Sequence, residues 1–118
     1  MNNVLITGYS GFVGKTLLPY LENSNIKTFG VSLKLVPQPD LTHIDSIIHL
    51  AGKAHDLKSV SQPDEYYAIN FNLTKELYDT FLKSNAKKFI FISSVKATAD
   101  IVEGKLTESD VPVPQSHY

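Results

Sequence analysis

Apolar residues are grouped along the chain in two ways. Short, strand-like runs occupy residues 4–7, 26–31, 44–50 and 89–92, and longer segments between them carry apolar residues at helical spacing. The runs centred on Val4-Leu5-Ile6, Ile47-Ile48 and Phe89-Ile90-Phe91-Ile92 do not alternate with polar positions, so both of their faces are to be buried, as in a parallel sheet covered by helices on both sides. Phe12, Val13, Leu17, Leu18 and Leu21 share one face of a helix expected over residues 11–21. Pro19 within it predicts a kink or an early end, because the ring removes one backbone donor. Tyr66, Ile69, Asn70, Leu73, Leu77 and Phe81 mark the longest helix. It is expected to start at Pro63, whose fixed φ suits a first turn, with Asp64 and Glu65 favourable at the positive end of the helix.

The pattern weakens elsewhere. Residues 33–36 read as a short third strand, Pro37-Gln38-Pro39 as loop, and Asp40 as the cap of a brief helical turn through His43. Residues 53–62 form a polar connection, and the tail from Ala97, with Pro112 and Pro114, is expected to be mostly loop. Strands alternating with helices predict an α/β fold: a doubly wound parallel sheet in a three-layer αβα arrangement. In such a sheet a ligand binds beyond the carboxyl ends of the strands. Small and polar residues gather at those ends, at Gly8, Ser32, Ala51-Gly52 and Ser93-Ser94.

Composition narrows the function. With 118 residues, 42% hydrophobic and 19% charged, the chain is expected to be one globular domain, short for an enzyme with its own substrate domain. A net charge of -1 without a basic block gives no support for nucleic-acid or membrane-surface binding. The absence of cysteine excludes disulfides and thiolate chemistry, and the four histidines show no metal-ligand spacing with carboxylates. With no apolar run near membrane-spanning length, a cytoplasmic location is expected.

The first strand leads into Thr7-Gly8-Tyr9-Ser10-Gly11-Phe12-Val13-Gly14-Lys15-Thr16. Its Gly-Lys-Thr ending suggests a triphosphate loop, which also needs a glycine five residues before Gly14. That position is Tyr9. The glycines at 8, 11 and 14 instead match a dinucleotide turn: one for the sharp exit from the strand, one for approach of a pyrophosphate to the helix N-terminus, and one for close helix packing.

These residues carry a family resemblance. Thr7-Gly8-Tyr9-Ser10-Gly11-Phe12-Val13-Gly14, His49-Leu50-Ala51-Gly52, Asn70 with Thr74, Phe91-Ile92-Ser93-Ser94 and Pro114-Gln115-Ser116-His117-Tyr118 resemble, in order and spacing, motifs of the extended short-chain dehydrogenase/reductases. The nearest group is the NAD-dependent epimerases and dehydratases that act on nucleotide sugars. The resemblance implies a Rossmann-like sheet in which Gly8, Gly11, Phe12, Val13 and Gly14 line the pyrophosphate. It also implies that Ala51 and Gly52 pass under the adenosine and ribose, that Asn70 braces the sheet beside the cofactor, that Ser94 is the triad hydroxyl and that Tyr118 is the general acid/base. NAD is the implied cofactor, and a nucleotide sugar the implied substrate.

Two departures qualify that expectation. The family's lysine four residues after the tyrosine, which lowers the phenol pKa for proton transfer, is not among residues 1–118, which stop at Tyr118. Residues 1–118 therefore read as a single, partial NAD(P)-binding domain, truncated on its C-terminal side, without a substrate domain and inactive alone; the alternative is a non-catalytic dinucleotide-sensing or interaction module. The second strand ends Val31-Ser32-Leu33-Lys34 with no acid for the ribose hydroxyls, so Ser32 is the candidate ribose contact and NADP the alternative cofactor. A sheet that ends near residues 89–92 also predicts homo-oligomers through its uncovered edge. Of the remaining candidates, His49 inside an apolar strand reads first as a hydrogen-bonded core residue, and Tyr9 as a cap on the sheet edge.

Overall fold

The computed structural model describes residues 2–52, 67–93, 104–105 and 107–113. In chain order it contains β1 (Asn3–Thr7), α1 (Phe12–Asn23), β2 (Lys27–Val31) and β3 (Ser46–His49). A π-helical segment (Tyr67–Asn72) then runs directly into α2 (Leu73–Leu82), followed by β4 (Lys88–Phe91). The strands form one parallel sheet in the order β2-β1-β3-β4. From the centre the chain steps outward through α1 to β2, returns across β1 to β3, and steps outward the other way through α2 to β4. Right-handed crossovers in opposite directions place the two helices on opposite faces.

Side-chain alternation and register assign the faces. Leu5 and Thr7 lie opposite Ile47 and His49, and this face carries the core cluster of Leu5, Leu33, Leu41, Ile44, Ile47 and Leu77 of α2, with Phe29, Val31, Leu73, Phe81 and Phe89 packed at its margin. Phe89 is held edge-on by Tyr78, with ring centroids 5.2 Å apart, and tilted against Phe81 at 5.4 Å. Offset and edge-on contacts of this kind add to simple burial in fastening α2 to β4.

Two expectations need correction. Residues 33–36 form a turn, not a strand: the amides of Leu35 and Val36 both donate to the Ser32 carbonyl, at 3.1 and 2.9 Å, which curls the chain back and sends Leu33 into the core. Asp40 does cap a single brief turn through His43: its Oδ1 accepts from both the amide and the hydroxyl of Thr42, and the Ile44 amide donates to the Leu41 carbonyl at 3.1 Å. That turn delivers Leu41 and Ile44 to the core. Pro19 does not end α1, which continues to Asn23. Pro19 and Lys15 are both exposed, so water can serve the Lys15 carbonyl that the ring leaves without an amide donor. The helix stops instead at Asn25, whose φ of 61° turns the chain left-handed.

Other boundaries shift by a residue or two. β3 is shorter than the apolar run from 44 to 50, although the amides of Asp45 and Leu50 extend its bonding to the carbonyls of Asn3 and Thr7. The expected start of the long helix at Pro63 and the connection over 53–62 lie outside the described residues.

Candidate functional site

The turn between β1 and α1 gives its three glycines different tasks. Gly8 has a φ of 68°, and a Cβ there would stand 2.7 Å from the Ala51 nitrogen, so the exits of β1 and β3 touch backbone to backbone. At Gly14 a Cβ would lie 2.5 Å from the Tyr9 carbonyl oxygen and 2.6 Å from that of Gly8, so α1 packs onto the turn through bare backbone. Gly11 differs. A Cβ there would meet only the Gly8 oxygen, at 3.4 Å, an ordinary contact, and φ is -79°. Neither local packing nor backbone conformation demands glycine at this helix N-cap.

The same helix start is electrostatically open. Gly11 has no side chain to cap α1, and no acidic residue lies in the first turn. The positive end of the helix therefore faces the crevice uncompensated. Phe12, 89% exposed, and Val13 flank it. The crevice opens between β1 and β3, where the chain diverges to opposite sides of the sheet and ligands of doubly wound folds bind. Gly52 borders it, and a Cβ on Gly52 would come within 3.2 Å of the Asn70 Oδ1. The Asn70 carboxamide thus closes on the chain leaving β3.

The profile of the NAD dependent epimerase/dehydratase family matches residues 4–118. The chain belongs to this family. It is 36% identical over 78 residues to the UDP-glucose 4-epimerase of Halalkalibacterium halodurans, covering 65% of this chain and 23% of that protein. The structure of MoeE5 in complex with UDP-glucuronic acid and NAD superposes with a TM-score of 0.85 at 26% identity, over 99% of this chain and 44% of that one. RMD from Pseudomonas aeruginosa complexed with NADPH gives 0.75 at 27% identity, over 100% and 44%. The chain therefore spans less than half the length of these relatives, and its α/β architecture is their Rossmann-like fold.

Among the residues expected at the site of an epimerase/dehydratase, the structure brings Gly8 against Ala51, Gly14 against Gly8 and Gly52 against Asn70, with Gly11, Phe12 and Val13 at the adjoining start of α1. Ser32 stands one residue past the end of β2, whose last pair with β1 is Val31 with Thr7. Ser94 and Tyr118 lie outside the described residues. Tyr9 covers the sheet: a Cβ on Gly30 of β2 would run into its ring at 2.6 Å.

Beneath the crevice lies a hydrogen-bond network built on Thr7, His49 and Thr74. Thr7 Oγ1 lies 2.6 Å from His49 Nδ1 and 3.1 Å from each of the amides of Leu50 and Ala51. His49 Nε2 lies 2.7 Å from Thr74 Oγ1 of α2. The two amides donate to Thr7, whose single hydroxyl proton goes to Nδ1, which leaves Nε2–H to donate to Thr74. Burial alone holds the imidazole pKa down, from 6.5 to about 4. His49 is thus a neutral core residue, as read from its apolar setting, and it ties β1, β3 and α2 together. A threonine ending one strand beside a histidine ending the next was the signal available; their register was not.

Proposed function

We propose that this chain is the dinucleotide-binding part of an enzyme that moves hydride between NAD(P) and a nucleotide-linked sugar. The observation that carries the reading is the open N-terminus of α1 behind Gly11, set at the divergence of β1 and β3. Backbone amides and the helix dipole there suit a pyrophosphate, and Gly11 keeps the approach clear. Gly8 and Gly14 hold the turn, while Ala51, Gly52 and Asn70 form the opposite wall, under the adenosine and ribose. When bound, the cofactor supplies the hydride acceptor. Ser94 and Tyr118 are the residues assigned to hydrogen-bond and deprotonate the sugar hydroxyl, a task that requires a lowered phenol pKa.

Relatives solved with NAD and a UDP-sugar, and with NADPH, support the nucleotide-sugar class and leave both dinucleotides open. Residues 1–118 would act as one cofactor-binding unit of a cytoplasmic enzyme of sugar-nucleotide metabolism. The test is a titration of the chain with NADH and NADPH, followed by reduced-nicotinamide fluorescence and by calorimetry. Saturable binding of either, weakened by Gly11→Val with the circular dichroism of the fold retained, is the expected result. Failure of both dinucleotides to bind overturns the reading.

A further inference from the structure

We infer that the turn leaving β2 selects a dinucleotide carrying a 2′-phosphate, with Lys34 and Ser32 as the selecting side chains. This rests on the reading above. A dinucleotide whose pyrophosphate sits at the start of α1 places its adenosine ribose over the end of the second strand, where NAD-selective sites hold a carboxylate that accepts from the ribose hydroxyls and repels a phosphate. Here Val31 pairs with Thr7, the residue before Gly8, so Ser32 leaves the sheet beside the glycine turn. From Ser32 to Pro39 there is no acidic residue, and Asp40, the next one, is bonded to Thr42.

The shape of the turn adds a second observation. The Ser32 carbonyl is taken by the amides of Leu35 and Val36, and Leu33, only 3% exposed, is locked in the core. That anchor fixes the backbone on which the two neighbouring side chains stand, and both Ser32 and Lys34 are exposed. Among the described residues no carboxylate pairs with Lys34; the lysine that does form an ion pair is Lys75, with Asp79. An ammonium and a hydroxyl on a rigid turn, opposed by no acid among the described residues, suit a phosphate monoester.

The experiment measures NADPH and NADH affinities of the chain and of its Lys34→Ala and Lys34→Glu variants by calorimetry, with amide NMR shifts on adding 2′,5′-ADP or 5′-AMP as an independent readout. Expected are NADPH binding on the order of tenfold tighter than NADH, a ratio near one in Lys34→Ala, and an inverted ratio in Lys34→Glu. The 2′-phosphate should shift the amides of residues 32–36 more than 5′-AMP does. Equal or tighter NADH binding by the unaltered chain, or a ratio unmoved by Lys34→Ala, overturns the selectivity while leaving the dinucleotide site standing. Loss of both nucleotides removes the site and the selectivity together.

Discussion

Thr7 and His49 face each other as register partners across β1 and β3 and share a 2.6 Å hydrogen bond in the buried base of the crevice. Each atom of this contact is committed. The Thr7 hydroxyl already receives the Ala51 amide and shares the Leu50 amide with the Thr7 carbonyl, so a proton added to Nδ1 would have to compete with these donors for the same oxygen. The pair is therefore a lock for the neutral imidazole, placed where the chain turns from β3 into the cofactor wall.

Acid should loosen the fold through this residue. The folded-state pKa of His49 is held at about 4, below the ordinary 6.5, so the unfolded chain takes up a proton first. The stability contributed by neutral His49 is complete above pH 6.5, declines as the pH falls through the window between 6.5 and 4, and is spent below it. The gap corresponds to roughly 3 kcal/mol. Urea unfolding between pH 7 and 4 should show that decline in the native chain and a shallower one in His49→Gln. Identical slopes would contradict the lock.

Removing the threonine hydroxyl should cost more than its own bond. Thr7→Val keeps the side-chain shape but strands the Ala51 amide and His49 Nδ1, for a loss of about 1–3 kcal/mol. Thr7→Ser, which keeps the hydroxyl, should lose much less. Chemical denaturation of both variants at pH 7 decides the matter, and a loss in Thr7→Ser as large as that in Thr7→Val would mean that the hydroxyl has no special share in the stability.

The three glycines should separate by function. Gly8→Ala and Gly14→Ala drive a methyl into backbone atoms at 2.5–2.9 Å, and each should destabilise by on the order of 1–3 kcal/mol. Gly11→Ala meets only an ordinary contact and should change stability by about 0.5 kcal/mol or less, while still reducing dinucleotide affinity. Thermal melts paired with NADH and NADPH titrations measure both quantities. A Gly11→Ala chain that melts as early as the other two would refute the division.

The outer side of β4 is the surface expected to associate. β4 lies at the edge of the four-stranded sheet, and Ile90, Phe91 and Ile92 are 45–56% exposed. An uncovered apolar edge of this kind favours pairing with another strand. Sedimentation should show a concentration-dependent dimer that Ile92→Lys suppresses. A monomer at every concentration would refute the expectation.

The glycine spacing and the long apolar stripes were legible from sequence because they are local. Three glycines three residues apart mark a turn in the sequence itself, although Gly8 is required by the Ala51 backbone of the next strand, and Leu73, Leu77 and Phe81 share a helix face wherever the helix packs. The path from Ser32 to Asp45 was not legible. Residues 33–36 have strand-like composition, but the Ser32 carbonyl and the vacancy that Leu33, Leu41 and Ile44 fill above the sheet decide the chain's course, and that vacancy exists only once α2 is docked.

Sequence by itself determined the four strands and two helices that form the sheet and its cover, though not that residues 33–36 add no further strand, together with the exclusion of a triphosphate loop by Tyr9 and the family. Tertiary structure alone decided that Gly11 is free of steric duty, that Lys34 stands exposed and unpaired by any described carboxylate, and that His49 is locked neutral. The physical reason is range: the bonds that fix His49 join it to Thr7 and Thr74, 42 and 25 residues away, and only the parallel register of β1 with β3 and the seating of α2 bring those hydroxyls to its two nitrogens.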